Sequence, residues 1–178
     1  MTTSRNLGLA WSIAAMLVFP ACSINVQEEN EGKNANVDIR TPIGNLSVRA
    51  GGTADTGLPV YPGARPAQSK DRRNESANVD IGAAGFGVKV AAASFEGNDS
   101  PQRVLDFYRN EMKTYGEVTE CRGNIDFKGS RRPVCKERPG DDEVQLVVGI
   151  EEEHRLVSVK PRGTGSEFAV VYVRTGSS

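Results

Sequence analysis

Few residues of this chain have the chemistry for nucleophilic or acid–base catalysis. His154 is the only histidine, so a Ser-His-Asp or Cys-His arrangement would have to use it. It stands in the stretch EEEHRL, where we expect the exposed tip of a β-hairpin, and the chain has no Gly-x-Ser-x-Gly nucleophile elbow. A Ser-Lys pair stays open because both residue types are common. We therefore assign no catalytic residue from the sequence.

Two acidic stretches are the candidates for a metal site. DDE at residues 141–143 and EEEH at residues 151–154 flank one expected strand. Neither has the Asp-x-Asp-x-Asp-Gly order that brings six or more oxygens to a Ca²⁺ ion. The glycines of GAAGFGVKV, at residues 82–90, run into a strand and not into a helix, so they do not form a phosphate loop. We expect solvated turns, no metal site and no cofactor.

The apolar N-terminal run has the order of an export signal. A short start with one arginine precedes an apolar core from Leu7 to Phe19, and the small residue Ala21 follows. At about 1.5 Å per residue this core reaches about 20 Å, which is less than the roughly 30 Å of hydrocarbon in a bilayer. The pattern therefore predicts a signal peptide over residues 1–21.

The residues FPAC, at positions 19–22, resemble the lipobox of bacterial lipoproteins. That family places a cysteine at the first mature position, which here is Cys22. It prefers Leu and a small residue where this chain has Phe19 and Pro20. The resemblance implies that the chain is cleaved before Cys22 and that Cys22 receives a lipid with acyl chains such as palmitate. This lipid would anchor the protein to a membrane. The alternative is an ordinary signal peptide cut near Ala21.

Lipidation of Cys22 also accounts for the odd number of cysteines. Cys121 and Cys135 then remain, and we predict that they form a disulfide in the oxidising compartment that export provides. Closure of this loop of about 15 residues contributes about 3 kcal/mol in the chain-entropy model. A zinc or CxxC redox site does not fit, because neither cysteine has a second Cys or His close by.

The segment after Cys22 is polar. SINVQEENEGKNAN carries too little apolar surface to fold alone, which predicts a flexible tether over residues 22–35 and a single domain over residues 36–178. The lipobox resemblance adds an expected location. In such lipoproteins, an Asp directly after the lipidated cysteine opposes sorting to the outer membrane, and this chain has Ser23 at that position. We therefore expect the anchor at the outer membrane or the periplasmic face of the cell envelope.

Two segments of the domain begin with the same five letters. ANVDIRTPIGNLSVRA, at residues 35–50, aligns without a gap with ANVDIGAAGFGVKVAA, at residues 77–92. The alternation places Val37 and Ile39 on one face of a strand, and TPIGN supplies a turn. Each unit therefore predicts a strand-turn-strand, duplicated within one sheet.

The stretch NDSPQRVLDFYRNEMKTYG predicts the one clear helix. Asp99 or Ser100 is the cap, Pro101 follows at the first turn, and Gly116 ends the helix. The rest of the chain has short β-forming runs, including EVQLVVGI and RLVSVKP around EEEH and EFAVVYVR at the end. We predict an α+β fold in which an antiparallel sheet of roughly six to eight strands has one amphipathic helix on one face.

Two further resemblances are local. LPVYPGA, followed by ASFEGNDSPQRVLDFYRNEMKTYG and TEC, is similar to a pattern of uncharacterised exported bacterial proteins and covers residues 58 to about 121. VDIRTPIGNLSVRA resembles single strand-turn-strand units of β-helical adhesins. Neither implies catalytic residues. Aromatic residues within the first pattern indicate either a ligand pocket between helix and sheet or a packed core: Tyr61, Phe107, Tyr108 and Tyr115.

The charges of the chain nearly cancel, with 22 Lys and Arg against 23 Asp and Glu, which argues against nucleic acid as a partner. The sequence therefore favours a lipoprotein that is held to a membrane through Cys22 and acts as a non-catalytic module on another envelope protein or a glycan. The alternative is a periplasmic small-ligand-binding protein or hydrolase that uses the aromatic pocket.

Overall fold

The computed structural model describes residues 23–29, 34–50, 54–67, 76–83, 85–127, 132–138, 140 and 142–177. The helix is α1 (Pro101–Met112), followed by one 3₁₀ turn at Lys113–Tyr115. The strands are β1 (Ser23–Glu29), β2 (Asn34–Thr41), β3 (Gly44–Ala50), β4 (Arg65–Pro66), β5 (Ser76–Ala83), β6 (Phe86–Gly97), β7 (Thr119–Asp126), β8 (Val134–Glu137), β9 (Val144–Ile150), β10 (Glu153–Arg162) and β11 (Gly165–Ser177).

The strands form one antiparallel sheet in the order β1-β2-β3-β5-β6-β11-β10-β9-β7-β8, with β4 beside β6. α1 packs on one face of the sheet and contacts β9, β10 and β11. This confirms the α+β class with one helix on an antiparallel sheet. The prediction of six to eight strands is wrong, because the described residues alone form 11 strands.

The strands that sequence analysis misses are β1, β4 and β8. β1 lies within residues 22–35, which the sequence predicts as a tether, yet all of it pairs with β2, from Ser23 opposite Arg40 to Glu29 opposite Asn34. The described sheet therefore begins at Ser23. β4 has only two residues, and β8 has four residues around Cys135 of the disulfide. All three strands form by pairing with a neighbouring strand, and their own sequences are too short or too polar to predict this pairing.

The duplicated segments fold as two hairpins of the same register. Val37 pairs with Val48 across β2 and β3, and the aligned Val79 pairs with Val90 across β5 and β6. Gly85 lies in the second turn with φ 83°, a conformation that favours glycine. Because β3 also pairs with β5, the two units are neighbours in one sheet, as predicted.

α1 begins and ends close to its predicted limits. Ser100 precedes the helix with extended backbone angles and Pro101 is its first residue, where the missing N–H costs nothing. The apolar stripe of α1 is buried against the sheet and supplies one side of the main core: Val104, Leu105, Tyr108 and Met112. No helix in the described part of the chain is long and apolar enough to cross a membrane.

The sheet supplies the other side of this core. Alternate residues of β9, β10 and β11 face α1, and they are buried: Val144, Leu146, Val148, Val157, Val159, Phe168 and Val170. Next to α1 on the same face, residues 54–67 cover Ala91 and Ala93 of β6. The helix and this connection therefore form one layer over the same half of the sheet.

The disulfide is confirmed. Cys121 of β7 and Cys135 of β8 are bonded, with 5.4 Å between their Cα atoms. Cys121 is buried beside β9, and Gly123 follows it with φ 121°. A Cβ at position 123 would lie 2.4 Å from the carbonyl oxygen of Lys136, so β7 needs glycine where β8 approaches it.

We predict that replacing both Cys121 and Cys135 with serine lowers the free energy of unfolding by about 3 kcal/mol, because the unfolded chain regains the freedom of a loop of about 15 residues. The midpoint of urea unfolding, measured by far-UV circular dichroism, reports the loss. The Cys22→Ser variant is the control and should unfold at the wild-type midpoint. Equal midpoints for all three proteins would contradict the prediction.

Candidate functional site

Three of the four predicted pocket residues lie together in the core. The ring centroid of Tyr61 is 5.2 Å from that of Phe107, and Phe107 is 5.0 Å from Tyr108. Phe168 of β11 joins them, 6.1 Å from Tyr61 and 5.8 Å from Tyr108. Three of these pairs pack edge to face and the Tyr108–Phe168 pair is tilted, and such packing is typical of a stable core. The structure therefore brings these rings together as packing partners, and their use as a ligand pocket stays a prediction.

The hydroxyl groups of this cluster fix the connection between β3 and β5. The Tyr108 hydroxyl accepts a hydrogen bond from the Tyr61 backbone N–H at 3.2 Å, and burial raises the pKa of Tyr108 well above its ordinary value. The Tyr61 hydroxyl donates to Asp99 at 2.9 Å. Hydrogen bonds from Arg103, and then from Tyr61, lower the pKa of Asp99. Both hydroxyls are thus occupied by structural contacts.

Tyr115 lies apart from the other three. It follows α1 in the 3₁₀ turn, where its hydroxyl donates to the carbonyl oxygen of Gly57. The guanidinium of Arg155 lies 3.7 Å from the Tyr115 ring centroid and 4.7 Å from that of Tyr172, while its Nε donates to the Thr56 carbonyl at 3.1 Å. The two hydrogen bonds hold residues 56–57 between the end of α1 and β10, and the two cation–π contacts fix the Arg155 side chain in place.

A cleft of about 340 Å³ opens on the polar face of the duplicated hairpins. Its floor is a row of paired positions across four strands: Asn45, Gly82, Gly87 and Gly176. The three glycines leave a trough because they carry no side chains. Along one side stands the next polar row of the same ladder, with Asp80, Lys89 and Arg174.

The charges of the cleft suit a small polar ligand. Lys89 donates to Asp55 at 3.1 Å, and its ammonium lies 6.0 Å from the Tyr172 ring centroid. Arg174 is exposed on the neighbouring strand. Two cations, the Asp80 carboxylate and the amide of Asn45 can together bind an anionic or zwitterionic group. The residues lining the cleft supply the Lys89 amine but no thiol, imidazole or hydroxyl group.

None of the predicted site residues lies in this cleft, although the repeat contains a signal for it. Gly82 and Gly87 align with Arg40 and Asn45 of the first copy. The second copy thus lacks side chains at two positions that face the same side of the sheet. Comparison of the copies would have located the trough, but not the cations of β6 and β11 beside it.

The remaining predicted site residues lie elsewhere. Cys22 lies outside the described residues. His154 is the second residue of β10, one position past the hairpin turn, with its ring centroid 4.8 Å from Phe127 and its Nδ1 3.1 Å from the Ile150 carbonyl oxygen. Within the described ranges, no three His, Cys, Asp or Glu side chains are grouped so that they could hold a metal ion.

No family model, no curated protein and no solved structure matches this chain.

We predict that Tyr108→Phe lowers the free energy of unfolding by about 1–3 kcal/mol, because it leaves the part-buried N–H of Tyr61 without its acceptor while the ring packing stays. The midpoint of urea unfolding measures the loss. Tyr115→Phe is the matched control, since its hydroxyl is near solvent, and we expect a smaller change. A Tyr108→Phe protein as stable as the wild type would contradict this assignment.

We predict that Arg155→Met lowers the free energy of unfolding by about 1–3 kcal/mol, because the variant keeps the apolar stem but loses the hydrogen bond to Thr56 and both cation–π contacts. Amide hydrogen exchange at residues 54–58 should become faster. Arg49→Met, at an exposed arginine of β3, should change neither quantity. Equal exchange in the two variants would show that Arg155 does not hold this segment.

Proposed function

We propose that this chain is an exported lipoprotein of a bacterial envelope and that its domain acts by binding another envelope protein. The anchor is Cys22, at the end of the apolar signal-like run. The disulfide between Cys121 and Cys135 supports export, because such bonds persist in oxidising compartments. No catalytic or cofactor-dependent step is assigned to the domain.

An apolar sheet face carries the proposal of a binding function. In an antiparallel sheet, residues that pair across strands lie on the same face. One such row across six strands consists only of valine: Val26, Val37, Val48, Val79, Val90 and Val173. The next apolar row is Ile24, Ile39, Leu46, Ile81 and Val88.

This apolar face is the one that α1 does not cover. α1 packs on Val157 and Phe168, and β11 alternates, so Val173 points to the opposite side from Phe168 and Val170. Ile24 is 67% exposed, Val26 56% and Ile81 46%. Contiguous exposed apolar surface of this kind on a soluble domain marks an interaction site. Its chemistry favours an apolar protein surface over a glycan.

The cleft supports a second candidate function. Asp80, Lys89 and Arg174 beside a glycine trough provide charges for a small anionic or zwitterionic ligand, in a volume of about 340 Å³ that lies within the range of ligand sites. A periplasmic small-ligand-binding protein would use this cleft and not the aromatic cluster around Tyr108.

Photocrosslinking in living cells tests the proposed function. A benzophenone amino acid at Val48 faces the apolar side, whereas one at the neighbouring Arg49 faces the polar side. We expect one discrete envelope protein to be captured from position 48 and none from position 49. Equal capture at both positions, or none from position 48, would contradict a partner on the apolar face.

A further inference from the structure

We propose that one end of the sheet, formed by the β2–β3 and β5–β6 turns, rests on the phospholipid bilayer and inserts Ile43 and Phe86 at its interface. The inference deepens the proposed function and rests on it, because a lipid on Cys22 would bring this end to the membrane. It assigns a second membrane contact, made by the folded domain itself.

The register places the start of β1 at this end. Ser23 pairs with Arg40, and Arg40 is followed by the turn that joins Thr41 to Gly44. Gly44 in turn pairs with Ala83 at the β5–β6 turn. Cys22 directly precedes Ser23 in the sequence, so one peptide bond joins the proposed anchor residue to the start of β1. A lipid attached there leaves no spacer between the bilayer and the two turns.

Both turns present apolar side chains to solvent. Ile43 is 80% exposed and Phe86 is 55% exposed, the former between Pro42 and Gly44 and the latter after Gly85. Such side chains next to a lipid anchor lower the free energy of the membrane-bound state by leaving water. Phe86 belongs to the same face as Val88, so the apolar tips continue the exposed sheet face.

The charges at this end are compatible with a bilayer surface. We count rows of residues that pair across β1–β6, starting from the end with the two turns. The first two rows, together with the described turn residues, contain one charged residue, Arg40, whereas 25% of the whole chain is charged. A lone cation is attracted by anionic headgroups, whereas carboxylates would be repelled. The nearest acidic side chains of this hairpin set, Asp38 and Asp80, stand in the fourth row.

The acidic β9–β10 turn does not obstruct this contact. The carbonyl oxygen of Glu152 accepts from the Thr175 N–H at 2.7 Å, and Thr175 pairs with Val88. Phe86 lies two residues further along β6, which is about 7 Å at the rise of a β-strand. The backbone of the β9–β10 turn therefore lies behind the level of the apolar tips, and β11 separates it from β6.

A single tryptophan placed on the full chain tests the contact. Trp11 is the only tryptophan, so the Trp11→Phe background is free of tryptophan, and Ile43→Trp or Phe86→Trp introduces one reporter at a turn. Val60→Trp is the matched control, at an apolar residue that is 43% exposed. The neighbouring Tyr61 donates a hydrogen bond to Asp99, which follows the end of β6. At the rise of a strand, the end of β6 is about 36 Å from Phe86, so Val60 lies far from the two turns.

Each variant is expressed in a bacterial host that processes lipoproteins, purified from its membranes and reconstituted into vesicles of phosphatidylethanolamine and phosphatidylglycerol that contain brominated phosphatidylcholine. We expect about a twofold loss of fluorescence and a blue shift for Ile43→Trp and Phe86→Trp, because their rings enter the interface. Val60→Trp should keep its fluorescence. Equal quenching in the three variants would overturn the proposed contact.

The intact mass of the same samples separates this inference from the anchor. An acyl-glyceryl group on Cys22 without quenching at the turns means that the anchor is right and the turn contact is wrong. Quenching at the turns without a lipid means that the folded domain binds the bilayer by itself, which supports the contact and refutes the anchor. If the samples show neither a lipid on Cys22 nor quenching at the turns, both the anchor and the turn contact are overturned.

Discussion

The pairing of β6 with β11 is the constraint on which the rest of the structure depends. These strands pair over twelve positions, from Gly97 opposite Ser166 to Phe86 opposite Ser177. β6 belongs to the duplicated hairpins, and β11 belongs to the half of the sheet that α1 covers. One ladder therefore joins a helix-covered half to a half without a helix. Without it the hairpins of β1–β5 would have no packed core beside them, and isolated hairpins are marginally stable in water.

The same ladder decides what each face of the sheet presents. Phe168 and Val170 face α1. Because alternate residues of a strand share a face, Tyr172 and Arg174 of β11 lie on this same side of the sheet. The core face thus becomes the polar face of the cleft. The intervening residues Val171 and Val173 lead instead onto the valine row. Register alone makes one face polar and the other apolar in the half that no helix covers, because a shift by one residue would exchange them.

Local pattern predicts elements whose signals lie within their own residues. The cap at Ser100 with Pro101, and the stripe from Val104 to Met112, define α1, and the identical starts of the two copies define two matching hairpins. β1 has only a short signal of this kind, the alternation of Ile24 and Val26, and its polar residues up to Glu29 are in a strand because they pair with β2. Tyr115 falls on the helical stripe of the sequence, yet the chain tightens into a 3₁₀ turn there and its ring stacks on Arg155 instead. The cleft combines side chains from four strands, and their order cannot be read from one sequence.

If the end of the sheet with the β2–β3 and β5–β6 turns rests on the bilayer, both faces of the sheet remain accessible to ligands and partners. Strands that begin beside the anchor rise from the bilayer, so the valine row and the cleft would both face the aqueous side. The valine row lies four residues from the level of Phe86, and the charged row of the cleft lies three residues from it. At about 3.3 Å per residue, three residues span about 10 Å, close to the Debye length at physiological ionic strength. Lys89 and Arg174 would then lie inside the field of anionic headgroups, whereas α1, at the far end of β6, would lie beyond it. The position of β1 in the sheet order therefore links the anchor, the apolar face and the charged cleft in one orientation.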